Sequence, residues 1–313
     1  MLKGGLTADA LGIAGLYFES KNTSVEIWVD SISLQPFNQE EWNSHQQQSI
    51  EKVRKSNVRI RAVDKQGNPL RNSKISIGQK RVNFPFGCAI NKNIINKTAS
   101  QNWFTPRFGV TTFEDEMKCK TTLQSRGHNI FWDDPQRQPS WVKSLSPADL
   151  SKADDKRINS VMSRYKGQVI AWDVVNENLH FSSFESELGQ NASGAFFNTA
   201  QRLDGAATLF MNEFNTIEES GDAASSPAKY LEKMREINEF PVKNNIKLGI
   251  GLAAHFGKPN IPYMRSSIDT LAATGSPIWL TEVDVKSDPN QGTRSMLFCT
   301  TTPQQQRQGK FSG

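Results

Sequence analysis

The chain has 313 residues, 36% of them hydrophobic and 22% charged, with a net charge of +5 and a pI near 9.0. That length can bury a core large enough for one barrel and a small extra piece. Nowhere is there an apolar run long enough for a membrane-spanning helix, and the basic residues are scattered rather than interleaved with aromatics, which argues against nucleic-acid binding.

The first elements are β-rich: residues 14–19 and 24–33 carry Leu16, Tyr17, Phe18, Val25, Ile27, Trp28 and Val29. A charged stretch of helical character follows over residues 39–55. Residues 58–63 and 74–82 again look like strands, and the intervening Asp64-Lys-Gln-Gly-Asn-Pro69 has the composition of a hairpin turn. From Phe84 onward the rhythm becomes strand, helix, strand. Strands are expected over residues 84–90, 108–113, 126–132, 169–175, 208–213, 247–254 and 278–285, and amphipathic helices over 148–165, 194–202 and 227–244. Such alternation produces parallel strands with right-handed crossovers. A long series of this kind predicts a (β/α)8 barrel rather than an open doubly wound sheet.

Two places break the pattern. The step from Lys118 to Arg126 is too short for a parallel crossover, which takes about a dozen residues or more. After Val285 the chain becomes polar and Gln-rich, with Met296-Leu-Phe298 as its apolar cluster. The barrel is therefore expected to lack its second helix and eighth strand, leaving two unpaired edges. The divisions are a β-rich segment over 1–37, a linker and β-rich extension over 38–83, a barrel over 84–286, and a polar, disordered tail over 287–313.

Cys88, Cys119 and Cys299 lack metal-ligand spacing, and His45, His128, His180 and His255 are dispersed, so no metal site is expected. Asn22, Asn96 and Asn191 begin glycosylation sequons. The first residues lack the apolar stretch of a secretory signal.

Two apolar runs, residues 171–177 and 277–285, end in carboxylates. A glutamate at the end of a buried strand is costly unless partners satisfy it. Two such strands, far apart in sequence, suggest one site with paired carboxylates, the equipment for cleaving a glycosidic bond. Strict alternation would put Ile278, Leu280, Glu282 and Asp284 on the inward face, with Trp279, Val283 and Val285 outward. It would likewise put Ala171, Asp173, Val175 and Glu177 on one face.

These segments resemble a known family. Trp172-Asp-Val-Val-Asn-Glu177 and Trp279-Leu-Thr-Glu282-Val-Asp284 are similar to the acid/base and nucleophile signatures of glycoside hydrolase family 10, the endo-β-1,4-xylanases. Arg126-Gly-His-Asn-Ile-Phe-Trp-Asp133, Glu114-Asp-Glu-Met-Lys118 and Gly249-Ile-Gly-Leu-Ala-Ala-His-Phe256 resemble its third-, second- and sixth-strand motifs, in wording nearest the plant members. Residues 1–37 resemble the last strands of a family-22 carbohydrate-binding module.

The resemblance implies a retaining xylan hydrolase, with Glu282 as nucleophile and Glu177 as general acid and base. Their carboxyls would lie ~5–5.5 Å apart, so repulsion would keep the proton on Glu177. His255 would donate to Glu282 and be oriented by Asp284. Glu114, Lys118, His128, Trp132 and Asn176 would hold the sugar. The family needs neither metal nor organic cofactor. Its partner is xylan or a xylo-oligosaccharide, with no membrane, nucleic acid or obligate protein partner, and its location is secreted or in the cell wall.

The chain departs from the family pattern at Cys119, where tryptophan is usual, at Asp115, where asparagine is common, and at Ala253, which replaces a glutamine. Together with the missing elements, these departures predict weakened catalysis. Two other readings stay open: a catalytically impaired or non-catalytic xylan-binding relative, and a mannanase- or cellulase-type barrel.

Overall fold

A computed structural model describes residues 38–77, 84–113, 124–240, 246–257 and 259–285. The strands expected within residues 1–37, the tail over 287–313, and the site residues Glu114 and Lys118 lie outside the described residues. The described residues divide between two compact units, one within residues 9–81 and one from residue 82 onward.

The first unit opens with helix α1, Gln39–Val53. A capping box starts it: the Asn38 side chain accepts from the Glu41 amide, and the Glu41 carboxylate accepts from the Asn38 amide, both at 2.9 Å. Residues 78–82 of the expected hairpin lie outside the described residues; among the described ones it is limited to one antiparallel bridge, Val63 to Pro69, around a turn in which Asp64 accepts from the amides of Gln66 and Asn68. The reason is burial. Val58 and Ile77 are each 78% exposed, and Ile60, Leu70 and Ile75 are exposed too, so these strands have no apolar face to cover. A lone two-stranded hairpin is marginal in water.

The second unit is a curled parallel sheet. Its strands are β1 (Gly87–Ile90), β2 (Val110–Phe113), β3 (Gln124–Gly127), β4 (Phe131–Trp132), β5 (Val169–Asn176), β6 (Thr208–Phe214), β7 (Leu248–Phe256) and β8 (Ile278–Val285). The order is β1-β2-β3-β5-β6-β7-β8, every pairing is parallel, and β4 also pairs with β5. The strand expected over 126–132 is thus two pieces, with the chain leaving the sheet at His128 and Asn129. Among the described residues no pairing joins β1 to β8, so the sheet is an incomplete barrel with two edges.

Helices α2 (Asn93–Asn96) and α3 (Thr98–Phe104) connect β1 to β2, and α4 (Pro147–Tyr165) precedes β5. Then α5 (Ser183–Leu188), α6 (Ala192–Asp204), α7 (Pro227–Glu239) and α8 (Ile261–Ala272) fill the later crossovers. No described helix is long and apolar enough to cross a membrane. Capping explains the starts of α4 and α7: Ser146 and Ser226 each accept from the third helical amide, and Pro147 and Pro227 open the first turn. Helix α7 stops at Glu239, short of the expected residue 244. Phe240 is extended (ψ 139°) because Pro241 follows, and the residue before proline avoids the helical region.

The helices bury one face against the outer side of β5–β8. Leu150, Ile158 and Met162 of α4, Phe196, Phe197 and Ala200 of α6, and Tyr230, Met234 and Ile237 of α7 join Trp172, Leu209, Met211, Leu252 and Val283 in one large cluster. At β1 and β2 a separate small cluster holds Ile90, Phe104 and Phe113.

On the inner side, two glycines of β7 make room for residues of β6. A Cβ on Gly249 would sit 2.4 Å from the Phe210 ring, and one on Gly251 would sit 2.7 Å from Asn212 Oδ1.

Two register shifts correct the expected alternation. In β8 the irregularity falls where Leu280 pairs with Leu252 and Glu282 with Ala253. Before it, Ile278 and Leu280 pack outward in the main cluster, while Trp279 meets Phe210 at 4.8 Å between ring centroids and Thr281 bonds Asn212. After it, Glu282 also points inward. In β5 the shift lies between Asp173 and Val175. Val175 joins the outer core, contrary to the expected face, and Asn176 turns inward to meet Asn212.

Candidate active site

The inner faces of β3, β5, β6, β7 and β8 converge on Glu282. Asn212 Nδ2 donates to its Oε1 at 3.0 Å. Arg126 Nη2 lies 3.7 Å from the same oxygen, and His128 Nε2 lies 3.9 Å away. His255 Nε2 approaches the other oxygen, Oε2, at 3.6 Å. His255 in turn bonds the Asp284 carboxylate through Nδ1, and its backbone amide donates to Glu218 at 3.1 Å.

Glu282 is 31% exposed, so the carboxylate is reachable from the cleft. Burial alone would push its pKa up. The close approach of the His255 ring and the electrostatic pull of His128, Arg126 and His255 outweigh this and hold it down to about 2. His255 responds in the opposite sense. Contact with Glu282, then the Asp284 carboxylate, raise it to about 9 against the opposing effect of burial.

Glu177 follows β5 in a left-handed backbone conformation (φ +61°), with its amide bonded to Asn212 O at 2.8 Å. A non-glycine residue adopts this region at a cost of roughly 1–2 kcal/mol. Burial pushes the Glu177 carboxyl above its ordinary value. The adjacent Trp132 indole opposes this, and the charges of Glu213, Glu282 and Asp134 add to it. The indole N–H does not reach full hydrogen-bond geometry. Trp132 lies edge-on to His128, with ring centroids 5.8 Å apart, and carries the Arg137 guanidinium 5.3 Å from its own centroid. His128 and Trp132 therefore do meet, although not along one continuous strand.

Of the residues singled out from the sequence, His128, Trp132, Asn176, Glu177, His255, Glu282 and Asp284 come together here. Several equally central groups were not singled out. Arg126 is fully buried, with Nη2 also 3.4 Å from Asp173, and none of its side-chain nitrogens makes a hydrogen bond. Asp173, also buried, bonds His128 Nδ1 at 2.7 Å. Buried Glu213 accepts from the Leu179 amide at 2.7 Å and His180 Nδ1 at 2.8 Å, and His180 Nε2 reaches Asp222 at 2.8 Å. Burial works against a charged His180, but these two carboxylates raise it to about 9, while Asp222 falls to about 2. This network ties the loop after β5 to the loop after β6. The sequence did carry a signal for these groups: charged and amide residues inside strands that are otherwise apolar. Among the described residues, no group of three or more His, Cys, Asp or Glu side chains is arranged to hold a metal ion.

Two carboxyls with opposite pKa shifts stand at the C-terminal ends of parallel strands, the end at which β/α-barrel enzymes work. The sequence matches glycosyl hydrolase family 10 over residues 120–310, and the chain belongs to that family. It is 43% identical to endo-1,4-beta-xylanase 5 and 42% identical to endo-1,4-beta-xylanase 4 of Arabidopsis thaliana, each over 93% of this chain. It spans just over half, 56%, of the length of these two relatives. Its fold is similar to that of xylanase 10B from Thermotoga petrophila RKU-1 in complex with xylobiose. There the TM-score is 0.54 at 20% identity, covering 66% of this chain and 73% of that one.

Proposed function

We propose that this chain hydrolyses internal β-1,4-xylosidic bonds in xylan by double displacement with retention. The observation that carries the proposal is the opposite tuning of two carboxyls in one cleft: Glu282 held ionised near pKa 2, and Glu177 pushed toward its protonated form. Glu282 attacks the anomeric carbon. Glu177 gives its proton to the departing glycosidic oxygen, and the bond to that oxygen breaks as the glycosyl ester on Glu282 forms. Water then gives a proton to Glu177 and its hydroxide to the anomeric carbon, releasing Glu282.

His255 and Asp284 support the ionised nucleophile. His128, Trp132 and Asn176 hold the sugar, with Trp132 offering an apolar face. Glu114 and Lys118 share that role by family resemblance. The xylanase names of the relatives and the xylobiose in a similarly folded enzyme support xylan or a xylo-oligosaccharide as the partner. A secreted or wall-bound location follows from that substrate. The proposal also includes the division into a binding-module remnant over 1–37, an extension over 38–83, a barrel over 84–286 and a polar tail.

The test is reducing-sugar release from xylan, mannan and soluble cellulose. Turnover on xylan that falls by a factor on the order of 10⁴ or more in Glu282→Gln supports the mechanism. Equal turnover by that variant, or a preference for mannan or cellulose, overturns it. The β1 and β8 edges, unpaired among the described residues, favour a second reading, in which the site retains xylan without cleaving it. Retention without product, unchanged in Glu282→Gln, would establish that reading.

A further inference from the structure

Strands β5 and β6 end alike. Glu177 and Asn215, the residues that follow them, are both left-handed at φ +61°. The carbonyl of each accepts from the amide four residues on, Phe181 at 3.1 Å and Glu219 at 3.2 Å. A left-handed residue other than glycine persists only where its surroundings hold it. One side chain joins the two turns. His180, in the turn after Glu177, bonds Glu213 Oε1 through Nδ1 and Asp222 Oδ2 through Nε2, both at 2.8 Å. Its ring stacks on Phe214, with centroids 3.8 Å apart and planes 10° from parallel.

The other partners of both carboxylates are donors. Glu213 also takes the backbone amides of Leu179 at 2.7 Å and Phe214 at 3.1 Å. Asp222 takes the Asn215 side-chain amide at 2.8 Å and the Ala224 backbone amide at 3.0 Å. Donors gathered on a carboxyl favour its ionised form. A neutral imidazole has one N–H and would turn a lone pair toward one of these carboxylates, so the ring in this place carries both protons. Burial opposes that charge, and the two carboxylates overcome it, raising His180 to about 9. The imidazolium is therefore a cross-tie. Glu213 holds the turn of Glu177 at Leu179 and His180, and Asp222 holds the turn of Asn215.

We propose that His180 is a positioning residue for Glu177: its imidazolium braces the turn that presents this carboxyl to the departing glycosidic oxygen. This rests on reading Glu177 as the general acid and base. The backbone of Glu177 is fixed on the strand side by its amide, which bonds Asn212 O at 2.8 Å. The turn on its other side is the part that Glu213, His180 and Asp222 secure. A displacement of about 1 Å in such a site can cost on the order of a hundredfold in rate. Without the brace, proton delivery suffers first, and attack by Glu282, which stands on β8, is spared.

Leaving groups separate proton delivery from damage to the fold. Phenyl β-xylobioside needs a proton on its departing oxygen, and the dinitrophenyl β-xylobioside leaves without one. On the full chain, His180→Gln should lower kcat/KM on the phenyl substrate by roughly ten- to hundredfold, and the milder Asp222→Asn by less. On the dinitrophenyl substrate both should stay within about threefold of wild type. Equal losses on the two substrates, or no loss on the phenyl one, overturn the proposal. Ring signals of ¹⁵N-histidine-labelled wild type, with His180 assigned by its absence in His180→Gln, report the cross-tie itself. Both nitrogens should remain protonated at about pH 8, where a histidine at its ordinary 6.5 is neutral. A neutral ring there overturns the cross-tie whatever the kinetics show. Glu177→Gln keeps the two readings apart: its loss on the phenyl substrate should exceed its loss on the dinitrophenyl one. If it does not, the reading of Glu177 fails, and the ring signals still decide the cross-tie.

Discussion

Replacing Arg126 with methionine should move the acidic limb of the pH–rate profile upward. The guanidinium lies 3.7 Å from Glu282 Oε1 and 3.4 Å from Asp173 Oδ2, with the arginine fully buried. Two unit charges at the longer of those distances interact by about 4.5 kcal/mol at an effective dielectric of ~20. If a third of that survives relaxation and the compensating pull of His128 and His255, Glu282 rises by about one pKa unit. Its ionised form, which does the attacking, is then lost at correspondingly higher pH. Asp173 also loses a cation, and breaking a buried pair costs about 3–5 kcal/mol of stability. The assay is kcat/KM against pH for a xylobioside with a chromogenic leaving group, alongside guanidinium unfolding. Arg126→Lys keeps the charge and should shift less than half as far. A folded Arg126→Met whose acidic limb overlays that of wild type would refute the electrostatic reasoning.

The share of stability that Glu282 and His255 contribute together should peak between about pH 5 and 6. The depressed Glu282 contributes fully above its unfolded value of 4.5 and fades as pH falls toward about 2. The raised His255 contributes fully below 6.5 and fades as pH rises through about 9, and His180 acts in the same sense. Because His255 is 49% exposed, solvent screens its share, and the alkaline decline should be the shallower one. Guanidinium midpoints across the pH range check this; a midpoint that only rises with pH would contradict it. Gly251→Ala should cost about 1–3 kcal/mol by crowding Asn212 and the Met211 carbonyl, read as a lowered thermal midpoint together with weaker sugar binding. Met162→Ala, in the main cluster, should cost about 2–5 kcal/mol in urea unfolding. Val58→Ser, largely exposed, should stay within about 0.5 kcal/mol.

The strands of the barrel were legible because a parallel sheet covered by helices writes long apolar runs into the chain, as at 169–176 and 278–285. The carboxylates that end those runs stood out against them. Which face each residue occupies was not legible. The bulges at Val174 and Thr281 arise from pairing with β6 and β7, which no strand reports by itself. Helices α2 and α5 are too short to show a period. Helix α8 did carry a start signal, with Asn260 accepting from Tyr263 and Pro262 in the first turn. The apparent hairpin around Asp64 had the right turn but lacked an apolar side to bury.

The uneven core sets the order in which the molecule opens. Amide protons of β5 to β8, beneath the large cluster, should be the last to exchange with solvent, and those of β1 and β2, over three buried side chains, the first. Both carboxylates ride on the slow half, while Arg126 lies in β3 and His128 directly follows it, and the other neighbour of β3 is β2. A brief opening of the weaker half would therefore carry Arg126 and His128 away from Glu282 without unfolding the rest. The nucleophile's readiness is then a property of the least protected strands in the sheet.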